Sequence, residues 1–131
     1  MVIRIASILL GILSVVALIL GVLFWTGNAY GLVNVHMILG ILIVVLLWGV
    51  GVGQALSKGG SWPLAIGAIV FGIVMTWLGM AQRTLLPGPS HIVIQIVHLF
   101  LGLATVGFAQ SMAGRYKRAL QVGDGGLTKA V

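Results

Sequence analysis

The chain has 131 residues, 60% hydrophobic and only 6% charged, with seven basic residues against one acidic. A soluble domain carries roughly a quarter charged residues, so water is excluded as the main solvent of this surface and lipid takes its place. The lack of cysteine excludes disulfides, thiolate-bound zinc, iron–sulfur clusters and covalently attached haem, and the net charge of +6 is no nucleic-acid footprint, because Arg115, Lys117 and Arg118 cluster right after an apolar run, where a cytoplasmic flank of a membrane protein sits.

A bilayer core takes about 20 residues of apolar helix, and four runs reach that length. They are too long, and too poor in alternation, for the strands of a membrane barrel. The first covers about residues 3–25. Arg4 stands at its start, but the run is long for a signal peptide and no clear small-residue cleavage site follows. Ser7, Gly11, Ser14 and Gly21 fall roughly on one face, a pattern that lets membrane helices approach closely. "WTGNAYG" then breaks the run, with Asn28 as a candidate N-cap.

The second run, about 29–56, is long enough to tilt. Within "VNVHMILG" it places His36 one turn above Gly40, with Ile43 and Leu47 continuing that face. "SKGGSWP" ends it, and Pro63 suits the first turn of the next helix. The third run, about 62–82, puts Gly72, Thr76, Met80 and Arg83 on a common face. "LLPGPS", with Ser90 as a candidate N-cap, leads to the fourth, about 91–113. There His91, His98, Gly102, Thr105 and Ala109 form a narrow stripe. Residues 114–131 read as a basic tail ending in the flexible segment "GDGGLTK", which lacks the strand–loop–helix context of a phosphate loop.

The expected fold is all-α: an integral membrane four-helix bundle over residues 1–113. Arg4, Lys58, Arg115, Lys117, Arg118 and Lys129 all fall at one end of it, and Arg83 alone at the other. The positive-inside rule then places both termini in the cytoplasm of a multi-pass plasma (inner) membrane protein. The bundle also reads as two repeated helical hairpins. "ILLGIL" resembles "IVFGIV", with Gly11 against Gly72, and "VHMILG" is echoed by "VHLFLG", with His36 against His98. Asn28 and Ser90 each stand eight residues before a motif histidine. Counted from those caps, both histidines lie about 12 Å below the outer end.

An ionisable side chain inside a bilayer is costly and points to function. Two histidines at matched depth, on helices of the same direction, can ligate haem iron from both sides. Gly40 and Gly102 would leave room for the ring. Arg83 and His91, near the outer surface, are candidate partners for the propionates, although Arg83 also suits a snorkelling anchor. A hydrogen-bonded structural pair ranks second, and a bare metal or substrate site third. Copper ranks low because Met37 points off the His36 face.

These residues resemble the small four-helix membrane b-type cytochromes, and in particular one half of haem A synthase. The likeness covers residues 3–113 and rests on His36, His98, their spacing, "TWLGMAQ" and "QIVHLFLGLA". It implies a bis-histidine haem between helices two and four. The substrate-oxidising half of that family carries a glutamate one turn before the first histidine. Here Val33 holds that place, so the chain resembles the non-catalytic half. Val50 and Met112 stand where an inner haem would need ligands, so one haem b is expected.

The leading expectation is a single-haem cytochrome b that transfers electrons near the outer side, within a larger respiratory or photosynthetic complex. It is an electron-transfer subunit more than a stand-alone enzyme. A quinone is a candidate donor, with Gln82, Arg83 or His91 to bond it. The alternatives are a half-size haem-modifying oxygenase, acting as a homodimer, and a cofactor-free structural or assembly subunit. Expected partners are the lipid bilayer and either other membrane subunits or a second copy.

Overall fold

The computed structural model describes residues 2–127, with side chains through Gln121. Four helices account for most of them: α1 is Val2–Trp25, α2 Val33–Ala55, α3 Trp62–Ala81 and α4 His91–Leu127. Short 3-10 turns, Tyr30–Leu32 and Gly88–Ser90, precede α2 and α4. No strand occurs among the described residues, and all four helices are long and apolar enough to cross a membrane. The helices run up, down, up and down. One end, the hairpin end, carries the α1–α2 and α3–α4 connections. The far end carries the start of α1 and the α2–α3 turn.

Each helix turns one narrow seam inward, stepping by three and four residues. In α1 the seam runs Ile3, Ser7, Leu10, Ser14, Ala17, Gly21; in α2 it runs His36, Gly40, Ile43, Leu47, Val50, Gln54. In α4 it runs His98, Gly102, Thr105, Ala109, Met112. Such a period keeps one stripe facing its neighbours in a left-handed bundle. The other faces expose large apolar side chains such as Ile12, Ile19, Ile73 and Phe100. In water that would drive aggregation, and in lipid it is the ordinary outer surface.

Packing is uneven along the bundle. The closed core, with Leu10, Leu47, Val50, Ala68, Ala109 and Met112, lies toward the far end. Around it α2 packs most closely against α1 and α3, and α4 touches the others more sparsely. The cross-section is a rhombus, because α2 and α4 meet across the bundle while α1 and α3 barely do. Gly72 forms the notch for one large side chain: a Cβ there would collide with Trp48 Nε1 and lie 2.8 Å from Val44. Gly60 closes the α2–α3 turn, where a Cβ would run into the carbonyl oxygens of Gln54 and Ala55.

The helix bounds follow the apolar runs, and Pro63 stands in the first turn of α3 as expected. Four local expectations need correcting. Asn28 caps nothing: its amide donates to the Thr26 carbonyl and hydroxyl at 3.1 Å. Ala29 turns left-handed at φ 58°, and α2 begins after Leu32 without a side-chain cap. In α3 Met80 is not on the inner face but 60% exposed, and Ala65, Ala68 and Gly72 are buried instead. The basic tail is not a separate segment. Nothing after Ala113 stops a helix, since Arg115 through Gln121 are mostly good helix formers, and α4 continues to Leu127. Of "GDGGLTK", residues 123–127 belong to α4, while Thr128 and Lys129 lie outside the described residues.

Candidate functional site

His36 and His98 meet across the short diagonal of the rhombus. Their ring centroids are 6.2 Å apart and their planes tilt by 50°. The reason is not the matched cap spacing. His36 falls in the first turn of α2, and His98 two turns into α4. The pair is set by where the rings meet across α2 and α4, not by equal positions within the two helices.

Each histidine packs against a glycine on the other helix of its own hairpin. A Cβ at Gly21 of α1 would stand 3.7 Å from His36 Cε1, and one at Gly79 of α3 would stand 3.6 Å from His98 Cε1. One turn toward the middle of the bundle, a Cβ at Gly40 or Gly102 would meet no atom within 4 Å. The imidazole pair therefore sits between two close-fitting glycines and beside two open ones. Phe24 lies edge-on to His36 at 5.5 Å, and Tyr30 stacks on Phe24 at 6.2 Å. A file of rings thus leads from the hairpin end to the pair.

Both imidazoles carry a buried Nδ1 with no hydrogen-bond partner. A buried polar atom left unpaired costs about 1–3 kcal/mol, and its orphaning in a native structure calls for an explanation. Among the described residues no three of His, Asp or Glu gather at one point. The donor set of this site is therefore two imidazoles. Met37 and Met80 are both turned outward, so soft sulfur ligands stand away from the pair.

The remaining candidates lie nearer the rim. His91 does not join the pair; its Nδ1 lies 3.1 Å from the Leu85 carbonyl and, as the donor, ties the start of α4 to the preceding turn. Arg83 is exposed at the hairpin end, where it borders a cleft of about 370 Å³ with Tyr30, Gly31, Val33 and Asn34. Sequence reasoning missed Gly21, Gly79 and the Phe24–Tyr30 stack as parts of this site. The available signal was a glycine near the outer end of each helix lacking a motif histidine, in "LGVLFW" and "WLGMAQ". No family model, curated protein or solved structure matches the chain.

Proposed function

We propose that the protein is a single-haem b-type membrane cytochrome in which His36 and His98 would hold the haem, acting in electron transfer near the outer membrane face. The observation that carries this reading is the 6.2 Å separation of two imidazoles whose Nδ1 atoms lack partners. An imidazole–metal bond is about 2.0 Å. Two such bonds with half a ring at each end span about 6 Å. A bare metal needs three or four protein ligands, whereas haem brings four of its own nitrogens and needs only two. Gly40 and Gly102 present no side chain toward the site, and a Cβ at either would meet no neighbour within 4 Å.

When bound, haem supplies a one-electron redox centre. The residues of this chain that would hold it are His36 and His98; Gly21 and Gly79 let the imidazoles seat against α1 and α3, and Phe24 backs His36. The spans offer no carboxylate, since the sole acidic residue is Asp124 near the end of α4. This favours electron transfer over substrate oxidation by the protein itself. The electron partner is a neighbouring subunit or a quinone of the membrane.

The same reading places the hairpin end outside a plasma membrane and both termini in the cytoplasm, following the basic residues at the far end. It also takes the two hairpins as repeats, supported by the like pairing of Gly21 with His36 and Gly79 with His98. Gly11 and Gly72, which the sequence aligned, lie against Gln110 and Trp48 respectively and do not share a role. The test is a dithionite-minus-oxidised spectrum of the purified protein after loading with haem b. A low-spin b-type spectrum is expected, lost in both His36→Ala and His98→Ala. A wild-type protein that shows no such spectrum overturns the assignment.

A further inference from the structure

The cleft beside Arg83 is not used by the iron ligands. It lies about one helical turn beyond them: Val33 precedes His36 by three residues on α2, and Arg83, just past the end of α3, follows Gly79 by four. Its volume of about 370 Å³ far exceeds the roughly 30 Å³ of a water molecule. Three polar side chains border it: the Tyr30 phenol, the Asn34 amide and the Arg83 guanidinium. Tyr30 is held there by its stack on Phe24.

The charge of this cleft is unusual for the chain. Every other basic residue among the described ones, Arg4, Lys58, Arg115, Lys117 and Arg118, belongs to the far end. The only acidic residue, Asp124, also lies toward that end, on the last part of α4. Arg83 is therefore a cation with no acidic side chain among the described residues at its own end of the bundle. Guanidinium presents a planar fork of donors that matches a carboxylate or a phosphate in two parallel bonds. Asn34 and Tyr30 add an amide and a hydroxyl donor from the opposite wall. A cation would be repelled here, whereas an anion gains a charge-assisted bond from the guanidinium.

We propose that Tyr30, Asn34 and Arg83 form an oxyanion-binding cleft at the hairpin end, which takes a carboxylate or phosphate carried by an amphiphile. Two sources have this chemistry: a propionate of the haem proposed above, or the phosphate of an anionic lipid. The first source rests on the haem reading and the second does not.

The experiment uses the full chain and its Arg83→Gln and Arg83→Lys variants, with helicity followed by circular dichroism. In one arm the protein is titrated with haem b and with haem dimethyl ester, which has the same ring without carboxylates. If the propionate is the ligand, the wild type prefers the free acid by about tenfold. The Gln variant loses that preference and Lys restores part of it. In the other arm, protein in nanodiscs of phosphatidylcholine with phosphatidylglycerol is examined for retained lipid by native mass spectrometry. If the lipid phosphate is the ligand, the wild type retains phosphatidylglycerol and Arg83→Gln does not. Equal behaviour of wild type and Arg83→Gln in both arms overturns the cleft. A wild type that takes up neither form of haem overturns the haem reading, and the lipid arm alone then decides the cleft.

Discussion

At the scale of single residues, the glycines divide by what surrounds them. Gly72 is a notch already filled by Trp48, Gly21 and Gly79 are in contact with imidazoles, and Gly40 and Gly102 face open space. The last two therefore separate folding from loading. Leucine at either should leave the helices intact, because its Cβ would meet no neighbour within 4 Å and leucine is a good helix former. It should weaken haem uptake, since crowding a site that fits typically costs about 1–3 kcal/mol, or about tenfold in affinity. Haem titration of Gly40→Leu and Gly102→Leu checks this against unchanged helicity. Equal uptake by wild type and both variants would show that the ring does not lie over these positions.

At the scale of the helices, the sequence told most where the physics is one-dimensional. Span number and approximate bounds follow from how long the chain stays apolar, and the inner seams of α2 and α4 follow from turning about 100° per residue. Less was legible where a third element decides. Asn28 looked like a cap because its residue type favours one, yet Thr26 competes for its amide and the chain turns through Ala29. The seam of α3 was misread near its end because Met80 and Gly79 adjoin, and only the position of His98 shows which faces inward. Gly21 and Gly79 were hidden for the same reason: their partners lie on other helices. Losing a true cap typically costs about 1 kcal/mol, so Asn28→Ala should cost less, within the few tenths typical of surface positions. Thermal unfolding in detergent measures it; a loss near 1 kcal/mol would reinstate the cap.

At the scale of the whole molecule, the topology is open to a direct measurement. The chain has no cysteine, so any thiol introduced is the only one present. Asn28→Cys, in the α1–α2 connection, should react with a membrane-impermeant maleimide added to intact cells. Ser57→Cys, in the α2–α3 turn, should react only after the cells are opened. The reverse pattern would invert the orientation and move the histidine pair to the cytoplasmic side. The cleft at Arg83 would move with it, because it shares the hairpin end.

The rhombic cross-section has a mechanical consequence. The two histidines belong to helices that no turn connects, and α4 is the helix least embraced by the rest: only 11% of its apolar window is buried, against 28% for that of α2. A shared iron would therefore act as a cross-link, tying α4 to α2 through a loop of about sixty residues between His36 and His98. By loop-closure entropy, joining such a loop removes about 4 kcal/mol of freedom from the unfolded chain. The far end is already gripped by its own packing, and ligation would fasten the end that is not.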